Sequence, residues 1–107
     1  KKNIEALPIG LDFINTLDPV KFDWNTRDGN KVNIPEFGFI AQQLLKAQEN
    51  SNIIVPNLVN DTVPEKLEAS YGTLIPIMVK AIKDLSIIVS NQQEEINSLK
   101  DKLSKIF

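Results

Sequence analysis

Residues 73–107 read TLIPIMVKAIKDLSIIVSNQQEEINSLKDKLSKIF, and this run decides the architecture of the whole chain. Within it Ile75, Met78, Ile82, Leu85, Val89, Gln92, Ile96, Leu99, Leu103 and Ile106 follow one another at alternating spacings of three and four, and all but Gln92 are apolar. That is a heptad seam, with Ile75, Ile82, Val89, Ile96 and Leu103 at a and Met78, Leu85, Gln92, Leu99 and Ile106 at d. At about 1.5 Å per residue the predicted helix runs roughly 50 Å, longer than a small globule needs. Such a seam calls for a partner helix, most simply from another copy of the chain.

The seam changes character along its length. In its first half Val79, Ala81, Ile87 and Ile88 widen the apolar stripe, so that half is expected to pack on a globular head as well as on partner helices. From Gln92 onward the stripe narrows to a and d, and Asn91, Gln93, Glu94, Asn97, Lys100, Asp101, Lys102 and Lys105 make the other faces polar. This second half reads as a free-standing parallel coiled coil, with the stalk beginning at about residue 90. Glu95 at g and Lys100 at the following e pair between parallel chains, for a few tenths of a kcal/mol when exposed. Gln92 weakens the seam but fixes register or oligomer order. The mixture of Ile, Leu, Val and Met at a and d leaves dimer and trimer both open. The pattern alone also allows a long helix lying along its own domain.

Composition bounds the rest. A chain of 107 residues that is 42% hydrophobic suits one small domain with a modest core. Net charge is -2 with no extended basic cluster, which argues against nucleic acid or an anionic membrane as partner. Cysteine and histidine are both absent, so there is no disulfide framework, no thiolate nucleophile, and neither the usual general base nor the commonest metal ligand. No metal and no cofactor is expected. No apolar run approaches transmembrane length, and no signal-peptide pattern is present. The abrupt start at Lys1-Lys2 reads as that of a piece of something longer.

Ahead of the seam, residues 1–72 are expected to form an α+β head. Asn3 is a plausible helix cap, followed by a helix-period stripe of Ile4, Leu7, Leu11, Ile14 and Leu17 with Phe13 beside it. Pro8 and Gly10 separate or kink its first turn, and Asp18-Pro19 ends it. Val20, Phe22 and Trp24 alternate with polar residues as a half-buried strand. Arg27-Asp28-Gly29-Asn30 is a hairpin turn signal, with Val32 and Ile34 on the return strand. Phe37, Ile40, Ala41, Leu44 and Leu45 then predict a covering helix from Phe37 to Gln48, broken at Asn50-Ser51-Asn52. Ile53-Ile54-Val55 reads as a short buried strand stopped by Pro56, and Asn57 to Lys66 as an exposed loop or arm. Leu67, Ala69 and Tyr71 alternate as one more strand before Gly72, after which Thr73 caps the long helix and Pro76 is tolerated in its first turn.

Little of this carries chemistry of its own. The carboxylates, from Glu5 to Glu68, have no spacing that pairs two of them as glycosidase chemistry requires, and read as solvated surface charge. Asp28 lies where a turn wants Asp in any case. Four scattered glycines make no phosphate loop, and Trp24 is most simply a core residue of the hairpin. The residues describe an oligomerising module with a compact head.

Three blocks carry a resemblance that goes further. They are Lys1-Lys2-Asn3-Ile4 with Leu17-Asp18-Pro19-Val20-Lys21-Phe22-Asp23-Trp24; then Gly38-Phe39-Ile40-Ala41-Gln42-Gln43-Leu44; then Tyr71-Gly72-Thr73-Leu74-Ile75-Pro76 through Lys80-Ala81-Ile82-Lys83-Asp84-Leu85. In order and at this spacing the chain resembles the C-terminal intramolecular chaperone domain of the endosialidase type. That self-cleaving module ends many phage tail spikes and tail fibres.

The resemblance implies a homotrimer that holds three chains in register while an upstream β-rich fibre or spike of the same precursor folds in the host cytoplasm during virion assembly. It implies no partner nucleic acid or membrane. A serine–lysine pair then cuts the chain once in cis, and the chaperone leaves the mature fibre. The family's cleavage motif, Ser-Asp-x-Arg-x-Lys, places Lys1 where the catalytic lysine stands, with its serine five residues further upstream, outside this sequence. By that alignment the chain is the released fragment and cannot cut itself again. The chemistry is coherent: with no histidine a lysine amine must take the serine's proton, and neighbouring positive charge favours its neutral form. Lys2 next door is either that neighbour or a solvated surface residue. Two other readings stand beside this one. One is a permanent oligomerisation and binding module, with the Asn57 to Lys66 arm as contact surface. The other is an enzyme using carboxylates such as Asp23, Glu36 and Glu68 on an external substrate.

Overall fold

A computed structural model describes residues 1–23, 35–60 and 67–106. It is an α+β head followed by one long helix, and the head departs from expectation first at its start. The stripe from Ile4 to Leu17 does not make one helix. Residues 1–10 run without helix or strand, Asn3 adopts a left-handed φ of 57° instead of capping, and α1 is the single turn Leu11–Ile14. Pro8 supplies no amide hydrogen and disfavours helical backbone before it. Ile4 is left 83% exposed, whereas Phe13 is fully buried. Thr16 ends the turn by donating its hydroxyl to the Phe13 carbonyl at 2.6 Å.

Beyond Asp18-Pro19 the chain enters β1 (Val20–Asp23), which pairs antiparallel with β2 (Pro35–Gly38). Val20 faces Gly38, Lys21 faces Phe37, Phe22 faces Glu36 and Asp23 faces Pro35. Trp24, the turn at Arg27–Asn30, and Val32 and Ile34 lie outside the described residues. Phe37 and Gly38 therefore belong to a strand and not to the covering helix, which is α2 (Ala41–Ser51). Its buried stripe is Leu44 and Ala47. The helix outlasts Asn50 because its stop signal acts later: Asn52 sits at φ 54°, ψ 37°. There the Asn52 and Ile53 amides donate back to the Glu49 and Gln48 carbonyls, the two bonds of a Schellman ending.

Ile53-Ile54-Val55 is not a strand. Val55 is buried, its amide donating to the Gln48 side-chain oxygen at 2.7 Å, while Ile54 is 86% exposed. Pro56 and left-handed Asn57 turn the chain, with the Leu58 amide reaching the Val55 carbonyl, an arrangement that suits proline followed by a positive-φ residue. Leu58, expected in an exposed arm, is completely buried. Strand β3 (Val59–Asn60) pairs antiparallel with β4 (Glu68–Ala69), and residues 61–66 of the expected arm lie outside the described ones. Tyr71 does not extend β4 but opens a 3-10 turn (Tyr71–Thr73) that leads into α3, Leu74–Ile106. Thr73 does not cap α3; its hydroxyl donates to the Ser70 carbonyl. Pro76 is the third residue of α3, where a missing amide breaks no helical hydrogen bond. Phe13, Leu44, Val55, Leu58, Leu74 and Ile77 form one core, which joins α1, α2, the turn before β3 and the start of α3.

Candidate functional site

Helix α3 is 33 residues long, but only Leu74, Ile77 and Ala81 are buried on it. In the heptad these stand at g, c and g. The head therefore grips the helix on a flank, beside the a/d seam and not through it. All ten seam positions, Ile75, Met78, Ile82, Leu85, Val89, Gln92, Ile96, Leu99, Leu103 and Ile106, share one face and are exposed. Among the apolar nine the exposure runs from 42% at Met78 to 75% at Ile106. Of the four residues expected to widen the stripe toward the head, Ala81 packs there; Val79, Ile87 and Ile88 remain exposed, because the head reaches one flank only and stops at Asp84. Leu74 and Ile77 escaped the sequence reading, although their spacing to Ala81 and Asp84 is itself a helical stripe.

Asp84 marks where the head ends. Its carboxylate accepts the Leu11 amide at 3.1 Å and pairs with Lys80 one turn earlier. The Lys80 hydrogen bond, and after it the Leu11 amide, hold its pKa below the usual aspartate value. Gly10 makes this approach possible: a Cβ there would lie 2.7 Å from Lys80 Cγ and collide with the carboxylate. A second tie joins Tyr71 to the hairpin. Its hydroxyl accepts the Phe39 amide at 3.0 Å and donates to the Phe39 carbonyl at 3.2 Å, and the two rings meet edge-on at 5.5 Å. Gly38 leaves room for it, since a Cβ there would stand 2.6 Å from the hydroxyl.

Between α1 and α3 lies an open groove of about 380 Å³, lined by Leu11, Ile14 and Asn15 on one side and by Met78, Ala81, Ile82 and Leu85 on the other. Three of those α3 residues are seam residues, so the groove and the seam are one continuous apolar surface. Lys1 and Lys2 are exposed at the far end of the irregular N-terminal segment. Among the described residues no group of acidic side chains gathers as metal ligands would. No described helix is long and apolar enough to cross a membrane.

The family model for the chaperone of endosialidase matches residues 1–59, more than half of the 107. The chain belongs to that family. Neither the curated proteins nor the solved structures gave a match. The match contains the first two of the three sequence blocks and stops short of the third. In this endosialidase-type chaperone the β1–β2 ladder sets Val20 of the first block opposite Gly38 of the second, and Tyr71 of the third holds Phe39 of the second. Spacing that looks arbitrary in sequence thus corresponds to contacts in the fold.

Proposed function

We propose that the domain is an intramolecular chaperone that gathers copies of its precursor as a parallel trimer through α3. It holds them in register while an upstream β-rich phage fibre or spike folds in the host cytoplasm, and is then released by autoproteolysis. One observation carries this beyond the family's general role: the a/d seam stands exposed along all of α3 although the head has a complete core without it. Nine half-exposed aliphatic side chains amount to on the order of 1,000 Å² of apolar surface. A stable interface takes about 800 Å² per partner, and a monomer's largest apolar patch is usually well below 1,000 Å².

The task explains the design. Non-local β pairing is slow and leaves strand edges open to misassembly. A C-terminal coiled coil raises the effective concentration of the strands before pairing begins. Release afterwards makes the assembled fold kinetically hard to reverse. In the cutting step Lys1, at the end of the irregular segment, takes the proton of a serine hydroxyl of the precursor as that oxygen attacks a peptide carbonyl; the C–N bond breaks, the proton passes to the leaving amine, and water then hydrolyses the acyl-serine.

Two measurements test the proposal. Sedimentation equilibrium of the 107-residue chain should give three chains per particle; a one-chain mass overturns the assembly, and a two-chain mass overturns the trimer. The intact mass of the full precursor is then compared with that of Lys1→Ala. Two fragments from the parent and one uncut species from the variant support self-cleavage through Lys1. Two uncut proteins that still form fibres make the domain a permanent oligomerising foot.

A further inference from the structure

The stalk seam leaves one feature of the head without a use, the apolar groove between α1 and α3. Its α3 wall is Met78, Ala81, Ile82 and Leu85, which stand at d, g, a and d, and its α1 wall includes Leu11 and Ile14. No e position lines it, so α1 stands on the g side of the seam. Leu11 and Ile14 are only partly buried by their own chain, and Met78, Ile82 and Leu85 are exposed members of the seam itself. Any helix that covers the seam at this level therefore closes the groove as well, and comes to lie beside α1.

Parallel heptad geometry says which part of that helix arrives. Each g position of one chain faces the following e position of the next. Along α3 this sets Leu74 with Val79, Ala81 with Ser86, Ile88 with Gln93 and Glu95 with Lys100. Only the second pair joins two small residues, so only there would the flank between two helices stay unfilled. That is also the level at which α1 stands. Ala81 is 5% exposed, covered by its own head, and what Ser86 of an adjacent copy meets there is α1. We propose that α1 fills the space between its own α3 and that of an adjacent copy of this chain, with Leu11, Ile14 and Asn15 against the flank that carries the copy's Ser86. The inference rests on the parallel assembly proposed above, and adds that the head wall, and not the stalk alone, is part of the interface. Close packing then accounts for the serine: a long side chain at that e position would take the place of α1. The Asp84 bond to Leu11 and the close approach at Gly10 tie α1 to α3, so this contact is made by a folded head only.

One substitution at two e positions tests this. Ser86→Lys and Gln93→Lys add the same charge, and lysine forms helix at least as well as either parent residue. In a bare coiled coil both are tolerated, as lysine already is at Lys100. With α1 over residue 86, Ser86→Lys should weaken association of the chain at least tenfold by sedimentation equilibrium, the scale of an overpacked contact, and Gln93→Lys should leave it within about twofold. Equal association by the two variants, whether kept or lost, overturns the contact. Because the chain has no cysteine, engineered thiols report the same contact without background. Two differently tagged copies, one carrying Asn15→Cys and the other Ser86→Cys, are refolded together and treated with a short bismaleimide, with Leu99→Cys in both copies as the reference for parallel stalk pairing. A mixed-tag species in yield comparable to the reference is expected. The reference link without the mixed species overturns the contact and leaves the stalk assembly standing; absence of both overturns the parallel assembly and the contact with it.

Discussion

Residues 74–84 and 85–106 of α3 share one helix and one heptad pattern, yet they stand in different surroundings. The first stretch buries three side chains against its own head and is tied to α1 through Asp84. The second buries none, and its only described side-chain bond is Gln93 to Asn97 within the helix. An isolated helix with an apolar stripe in water is marginal, because helical stability in proteins comes mainly from packing that stripe. The first stretch therefore owes its stability to the fold of one chain, and the second, on the assembly proposed above, to how many chains are present. Concentration separates them.

The largest expected effect lies on the head side. Phe13→Ala empties a site that is 1% exposed, and should lower stability by about 3–5 kcal/mol. Thermal melts should show the same loss of head stability at every protein concentration. Next comes the stalk. Ile96→Asp with Leu103→Asp places charge in the seam and should weaken association at least a hundredfold, or about 2.7 kcal/mol. The variant should sediment as one chain and lose the rise of Tm with concentration that linkage demands of the parent if it assembles as proposed. If Phe13→Ala proved concentration-dependent, or the stalk variant did not, the division of α3 would be wrong.

A smaller effect sharpens the head side alone. Gly38→Ala drives a methyl group toward the Tyr71 hydroxyl and should cost about 1–3 kcal/mol. Removing that hydroxyl should relieve part of the clash: the ring carbons stand at 3.3 Å, so Gly38→Ala with Tyr71→Phe is expected to be less destabilised than the sum of the two single variants. Strict additivity in denaturant melts would mean that Tyr71 does not control Gly38.

The sequence was legible where periodicity is long and redundant. Ten positions in register made α3 unmistakable, and Val20 to Phe22 and Ala41 to Leu45 were placed in the right kind of element. Legibility failed where a short element depends on contacts distant in sequence. Ile4 to Leu17 has helical spacing, but Pro8 breaks the backbone and α3 holds Gly10, so only one turn forms. Phe37 and Gly38 fit a helical stripe as well as a strand end, and the choice is made by pairing with Lys21 and Val20 of β1, across the chain between them. Leu58 looked like loop because Pro56, Asn57 and Asn60 surround it, although the turn they form is what points it inward. In the site, the seam was visible and the groove was not. A groove needs α1 placed beside α3, and that placement combines the packing of Phe13 on Leu74 and Ile77 with a hydrogen bond between Leu11 and Asp84, a pair with no sequence signature.

That bond also sets the smallest prediction. The Asp84 carboxylate has a pKa below its ordinary value of 3.8, first because Lys80 bonds it and then because the Leu11 amide does. A carboxylate whose folded pKa is depressed stabilises the fold above its unfolded pKa, and the contribution disappears as pH falls through the folded value. The tie is therefore intact at neutral pH, starts to weaken below about pH 4, and is gone once the group is protonated in both states. Asp84→Asn removes the charge without changing the shape, so it should lower Tm slightly at pH 7, and the difference should shrink as pH falls below the ordinary aspartate range. The gap between parent and variant, followed down in pH, reports this one group even while other carboxylates titrate in both proteins. A gap that persists at low pH would mean that the variant differs from the parent by something other than the lost charge; a gap absent at pH 7 would mean that the tie between α1 and α3 does not depend on that charge.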